Sequence, residues 1–359
     1  MIRTRSLIAL LVASALPPGA AMAEALQPVG PPYAVSGDLA GKTSRKGKIK
    51  WAEDISGIAC RPDETGPMRC LVVNDENTGA QFVAIDGTTL IPGAEVDLVG
   101  RAPSRTTLGA APTTGGCTLG QGEYGEMDGE AVAYAAPNFY VTGSHGCSRR
   151  GREYKMSTFV LARIRPNAAG TGAEAVETTY RLGDALKNAE TVGAYFLKDL
   201  EARAGGTSTK GLNVEGLAVA GGRLYAGLRA PNLDGKAFLV SVGVEALFAP
   251  GTAALAETPR VIPLDVGADA GIRDLSVLPD GTLLVLTGPA ENGLAVPYRL
   301  FAFEIASGKL TSVGTFAALE GEDAGGKAEA MVRLGPGRLL MLFDSLKNGG
   351  PRAYAVPIR

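Results

Sequence analysis

Asn213-Val-Glu-Gly-Leu-Ala218, followed after a two-glycine turn by Gly222-Arg-Leu-Tyr-Ala-Gly-Leu228, is the stretch on which the fold turns, because the chain repeats it. Four further copies are visible. Asp54-Ile-Ser-Gly-Ile-Ala59 leads to Arg69-Cys-Leu-Val-Val-Asn-Asp75, and Asp128-Gly-Glu-Ala-Val-Ala133 leads to Asn138-Phe-Tyr-Val-Thr-Gly-Ser144. Gly271-Ile-Arg-Asp-Leu-Ser276 leads to Gly281-Thr-Leu-Leu-Val-Leu-Thr287, and Lys327-Ala-Glu-Ala-Met-Val332 leads to Gly337-Arg-Leu-Leu-Met-Leu-Phe343. Each copy is a pair of short apolar strands joined by turn chemistry such as Pro279-Asp-Gly281 or Gly335-Pro-Gly337. A unit that recurs along a whole chain buries its apolar face only against its neighbours, which is the signature of a repeat architecture.

Outside the paired strands, two further strand patterns follow each copy except the last, where the chain ends one strand short. Four-stranded antiparallel units set radially make an all-β, five-bladed β-propeller. The missing strand is expected from the N-terminus, within Tyr33-Ala-Val-Ser36 to Lys48-Ile-Lys-Trp51, closing the last blade so that no edge stays open. The intervals from Ser56 to Glu130 and from Glu130 to Glu215 exceed those from Glu215 to Arg273 and from Arg273 to Glu329. Two insertions account for the excess, and a hidden sixth blade is the rival explanation. One insertion is the Thr/Gly-rich loop 101–126. The other lies near 182–204, where Leu182, Leu186, Ala189, Val192, Phe196 and Leu200 recur at helical spacing before Gly205-Gly206.

Composition narrows the rest. Gly 49 and Pro 22 fit many short strands and tight turns, and 20% charged against 45% hydrophobic residues excludes wholesale disorder. Arg3 and Arg5 precede the apolar run Leu7 to Leu16, and Ala21-Met-Ala23 offers a cleavage site, so residues 1–23 read as a signal peptide and 24–32 as a flexible leader to a single domain, 33–359. The expected location is periplasmic or secreted. A net charge of −2 with scattered basic residues lacks the footprint of a nucleic-acid binder. No stretch after the leader has the apolar length of a membrane span. Four cysteines in an exported chain predict two disulfides; of the three possible pairings the spacing favours Cys60 with Cys70 across neighbouring strands and Cys117 with Cys147 stapling the Thr/Gly-rich loop to the second repeat, and leaves the other two open.

Aligning the copies gives two columns whose side chains share one face of the first strand. The outer column is Asp54, Asp128, Asn213, Gly271 and Lys327; two residues on stand Ser56, Glu130, Glu215, Arg273 and Glu329. In a propeller the first strand lines the axis, so the second column forms a ring around it. The second strand returns Asp75, Glu76, Ser144, His145, Arg229 and Asp344 to the same mouth. Clustered carboxylates raise one another's pKa unless a cation lies among them. Arg273 and Arg229 could supply it, making the ring an ion network. So could Ca²⁺ or another divalent metal held by Glu130, Glu215 and Glu329 beside Asn213. His145, the single histidine, is the candidate base, with Ser56 and Asp54 or Asp128 as its triad partners. Arg229 and Arg273, with Asn213, Ser56 and Asp344, are the candidate ligand-binding set, the guanidiniums gripping an anion if not paired to the glutamates. Gly120, Gly122 and Gly125 match G-x-G-x-x-G but lead into a strand, not a helix, and carry no nucleotide chemistry.

At Lys210-Gly-Leu-Asn-Val-Glu-Gly-Leu-Ala218, Gly227-Leu-Arg-Ala-Pro231 and Gly271-Ile-Arg-Asp-Leu275 the chain resembles the domain of unknown function 3616 family of exported bacterial propellers. The resemblance covers nearly the whole chain after its leader and implies the fold without a reaction. More distantly, the Glu-Gly-Leu-Ala phrase is similar to that of esterase-like phytase propellers and of gluconolactonase-type propellers, which hold a divalent metal. Ser56 and Arg273 depart from a uniform acidic ring. The expectation is thus an exported propeller whose polar mouth binds a small anionic or polyhydroxylated molecule. The alternatives are a metal-dependent hydrolase of phosphoesters, esters or lactones, and a protein-interaction scaffold.

Overall fold

The structure is a computed structural model that describes residues 25–43, 49–62, 66–100, 106–112, 117, 119–149, 152–200 and 211–358. The 1–23 leader lies outside them. Alternating apolar strands fold into five antiparallel sheets, each starting at one repeat. Blade 1 runs Ile55–Cys60, Met68–Asn74, Gly79–Asp86 and Thr89–Asp97. Blade 2 runs Gly129–Ala135, Asn138–Gly143, Leu161–Pro166 and Ala173–Thr179. Blade 3 runs Asn213–Ala220, Arg223–Ala230, Lys236–Gly243 and Arg260–Asp265. Blade 4 runs Ala270–Val277, Leu283–Pro289, Arg299–Glu304 and Lys309–Phe316, and blade 5 has Lys327–Gly335, Arg338–Asp344 and Arg352–Ala355. Each first strand touches the first strand of the next blade, and that of blade 5 touches that of blade 1. The ring therefore closes with five blades and leaves no place for a sixth.

The apolar core is divided among the seams between blades. Ile58 and Val72 of blade 1 pack with Ala330, Leu340 and Leu342 of blade 5, while Ala218 and Leu239 of blade 3 pack with Ile272 and Val285 of blade 4. No blade has a core of its own, as expected for a repeat unit.

The N-terminus closes the ring differently from the sequence expectation. Residues 25–32, expected as a loose leader, run with 33–35 over three blades. Ala25–Leu26 adds in parallel to the outer strand of blade 4. Pro28 then bridges Tyr354, and the Val29 and Tyr33 amides donate to the Ala353 and Pro351 carbonyls on the open edge of blade 5. Ala34–Val35 goes on to pair in parallel with the outer strand of blade 1. The short hairpin Ala40–Thr43 with Ile49–Trp51, expected within the closing strand, instead packs beside blade 1, where the Ala40 amide donates to Gln81 Oε1. Leu26 enters the blade 4/5 seam and Tyr33 the blade 5/1 seam.

The insertion after blade 2 is helical only over Arg181–Asn188, with a 3-10 turn at Gly193–Tyr195. Leu182, Leu186, Ala189, Val192, Phe196 and Leu200 are all buried, so the apolar spacing marks burial correctly even where the helix has ended. Residues 201–204 of the expected insertion lie outside the described residues, as do 101–105, 113–116 and 118 of the Thr/Gly-rich loop. Both expected disulfides are present, Cys60–Cys70 and Cys117–Cys147.

Candidate functional site

One irregularity recurs in every blade and builds the centre of the molecule. The pairing between first and second strands slips at Ser56, Glu130, Glu215, Arg273 and Glu329, the five members of the second column. Each is the extra residue of a β-bulge. A bulge re-aims the side chain it carries, so one irregularity repeated five times delivers five polar groups to the axis. The following position is small in four blades, Gly57, Ala131, Gly216 and Ala330, but is Asp274 in blade 4. Asp274 is fully buried and accepts the Leu275 and Met331 amides at 2.7 Å each, tying blade 4 to blade 5.

Around the axis the ring is an ion network centred on Glu215. Its Oε1 accepts Arg229 at 2.7 Å, Arg149 at 2.8 Å and Asn213 Nδ2 at 2.9 Å. Arg273 lies 3.0 Å from Oε2 as an ion contact rather than an aligned hydrogen bond, and its Nε donates to Glu329 Oε2 at 2.8 Å while Nη2 meets Oε1. Burial alone would raise the Glu215 pKa; Arg229, Arg273 and Arg149 outweigh it and hold the group down at about 2. Arg273, pressed by burial and by the Arg229 charge, falls to about 10. Arg229 also reaches the Pro289 carbonyl and Asn292. Its own carbonyl explains the outer-column glycine of blade 4, since a Cβ on Gly271 would collide with it.

This arrangement is the ion network that the sequence offered, and three alternative readings lack their geometry in it. Glu130, Glu215 and Glu329 do not fit a divalent cation, because guanidiniums already occupy the last two, and no three acidic, His or Cys side chains among the described residues converge as ligands. Arg229 and Arg273 are spent on the glutamates and leave no anion grip. The histidine triad is not assembled. His145 is completely buried, stands edge-on to Phe159 at 5.7 Å, has neither ring nitrogen bonded, and is driven down to about 3 by burial. Ser56 Oγ donates to the Asp54 carbonyl instead.

Beside the network opens an eccentric cavity of about 350 Å³ between blades 1, 2 and 3. Six carboxyl groups line it: Asp54, Asp75, Glu76, Glu126, Asp128 and Glu130. Three members of the outer column, Asp54, Asp128 and Asn213, thus share one wall. The cations of that wall are Lys42, Arg149 and Lys155, of which Arg149 is bound to Glu215 and Lys155 to Glu126. Leu200 from the helical insertion completes it. Asp344 stands just behind, hydrogen-bonded to Asp54 and to Lys327 at 2.7 Å. Sequence reasoning missed Arg149, which follows the Cys147 disulfide loop and has no equivalent in the repeat. Asp274 was detectable as the one charged residue in a column of small ones.

Electrostatically the cavity is overloaded with acid. Burial raises Asp75 to about 8, helped by Asp128, Asp54 and Asp344, and burial with the Asp344 hydrogen bond raises Asp54 to about 6. Asp128 is raised by burial, and Glu130 is raised well above its ordinary value by burial and by the Glu215 and Asp128 charges. Between its unfolded value of 3.8 and about 8, Asp75 holds a proton in the folded chain that the unfolded chain has lost, so its contribution to stability falls as pH rises through that window. Asp75→Asn should therefore be more stable than wild type above about pH 8, by roughly 1–2 kcal/mol once solvent screening in the open cavity is allowed for, with the gain vanishing near pH 4. Urea denaturation across that range checks it. A gain that does not change with pH would contradict the assigned environment.

A family model described as a protein of unknown function, DUF3616, matches residues 152–349. No curated protein matches the chain. Among solved structures it is similar to an exo-beta-1,3-galactanase from Phanerochaete chrysosporium at 8% identity and a TM-score of 0.43, covering 89% of this chain and 65% of that one. The chain thus spans less than two thirds of the galactanase. It is also similar to an alpha-L-arabinofuranosidase from Podospora anserina, at 11% identity and a TM-score of 0.44, covering 93% of this chain and 96% of that one. A hypothetical protein from Leishmania major matches at 9% identity with a TM-score of 0.42, over 94% and 90% of the two chains. Likenesses this weak say nothing about ligand or chemistry here.

Proposed function

We propose that this chain, which belongs to the DUF3616 family of proteins of unknown function, is a binding propeller that takes a small polyhydroxylated molecule into its acidic mouth. The carrying observation is the cavity of about 350 Å³, which is large enough for a monosaccharide-sized ligand and walled by carboxyl groups rather than free cations. An anion is disfavoured because Arg229 and Arg273 are already paired. Hydroxyl groups both donate and accept. Carboxyls whose pKa is raised toward neutrality offer both roles in turn, donating when protonated and accepting when ionised. The two disulfides support a working place outside the reducing cytoplasm, periplasmic or secreted.

Trp51, the one tryptophan of the chain, is 45% exposed on the strand paired with Ala40–Thr43, whose Lys42 belongs to the cavity wall. Its fluorescence is a built-in reporter. Titration with neutral monosaccharides and inositols is expected to give saturable changes in Trp51 emission and calorimetric heat, weakened about tenfold in Glu130→Ala, the loss of one good hydrogen bond. Absence of any saturable signal across such a panel would overturn the reading.

A further inference from the structure

None of Asp54, Asp75, Asp128 and Glu130 forms an ion pair with a described residue, although all four face the same cavity. Lys155 is paired with Glu126, and Arg149 shares Glu215 with Arg229 and Arg273, so Lys42 and a shared Arg149 stand against five carboxyl groups, Glu76 among them. Such a site is short of positive charge, and either protons or a bound cation must supply it. A second observation points to a donor ligand. Asn213 is 2% exposed, lines this cavity, and its Nδ2 is committed to Glu215, yet its Oδ1 has no hydrogen-bond donor. A buried amide oxygen without a donor is costly, and a ligand N–H placed there removes that cost.

We infer that the ligand of this cavity carries a protonated amine, placed among Glu130, Asp75 and Asp128 so that its three N–H groups reach two of these carboxyls and Asn213 Oδ1 as a neutral acceptor. The inference deepens the proposed polyol reading of the same cavity and names the charged group of its ligand. An ammonium suits the wall better than a metal ion. It needs only a few acceptors at hydrogen-bond distance, whereas a divalent ion demands a converged set of oxygen ligands, and no three acids among the described residues converge. Arg149 opposes it only in part, because that guanidinium is bound to Glu215 at 2.8 Å and the carboxyls of the wall outnumber it.

Proton movement gives the ammonium a distinctive signature. Glu130 faces Glu215, Asp128, Arg149 and Asp75, and Asp75 faces Asp128, Asp54, Asp344 and Glu76. Surrounded in that way, the carboxyls keep protons near neutral pH that an incoming ammonium displaces. Binding of the amine should release protons to the buffer, and binding of a neutral polyol should not.

The test compares glucosamine with glucose, and putrescine as an amine without hydroxyls, by calorimetry near pH 7 in two buffers of different ionisation enthalpy. Glucosamine is expected to bind at least about tenfold more tightly than glucose, with proton release. Glu130→Gln and, independently, Asp75→Asn should each reduce that preference severalfold and diminish the proton release. Equal binding of glucosamine and glucose without proton release overturns the inference and leaves the polyol reading standing. Putrescine binding as tightly as glucosamine, with glucose silent, supports the amine and overturns the polyol. Calcium binding with no amine binding identifies a metal site and overturns the inference. Silence from every compound overturns both.

Discussion

Glu215→Ala is expected to destabilise the protein by about 3–5 kcal/mol, the cost of leaving buried charge uncompensated. Glu215 is the shared counter-ion of Arg149, Arg229 and Arg273, and the side chains of Arg229 and Arg273 are 4% and 2% exposed. Removing the carboxylate leaves those guanidiniums facing one another across the axis, with Glu329 the partner of Arg273 alone. Denaturant midpoints measure the loss directly. Glu215→Leu combined with Arg229→Met should recover part of it, because the buried Arg229 charge goes with its carboxylate while Arg273 keeps Glu329 and the Arg149 side chain is 31% exposed. The same carboxylate fixes part of the acid response. Its folded pKa lies below its ordinary value of 4.5, so its stabilisation is fully present above that value and is lost as pH falls toward about 2. Midpoints unchanged in Glu215→Ala would mean that the network contributes nothing to holding the blades together.

Nearly as large an effect is expected from the N-terminal strap. Leu26 and Tyr33, 4% and 7% exposed, plug the seams on either side of blade 5, the one blade with three strands of its own. Leu26→Ala and Tyr33→Ala should each cost about 2–5 kcal/mol and, lying in separate seams, should add. Because these seams join the end of the chain to its beginning, the double variant should open the ring at blade 5 first. Hydrogen exchange should show Arg338–Asp344 and Arg352–Ala355 losing protection ahead of blade 3. Uniform loss of protection across all blades would refute the strap as a clasp.

Much of the fold was legible because the hairpin repeat is local. Strand alternation, turn residues and the spacing of five copies all lie within short windows, and they specify the propeller and the burial of the insertion, while the two long intervals left a sixth blade open until the ring was seen to close with five. The Cys60–Cys70 pair was legible for the same reason, since the two residues face each other across one hairpin. Strap placement was not legible, because Pro28 and Val29 carry no strand pattern and gain their partners only from an edge three hundred residues later in the chain. Within the site, the columns placed Glu130, Glu215, Arg273 and Glu329 correctly around the axis. They could not say which charges pair, and so they left a metal and an anion grip open that the arginines close.

What the amino-acid order determined by itself was the repeated hairpin and, through it, the identity of the side chains sent to the centre. Both follow from interactions between near neighbours in the chain. Only the tertiary structure decided that Arg149 joins the network, that His145 is buried edge-on to Phe159, and that the unpaired acids gather on one side of the axis. Those outcomes rest on charge and desolvation between groups on different blades, and such energies exist only once the blades are set at fixed distances from one another.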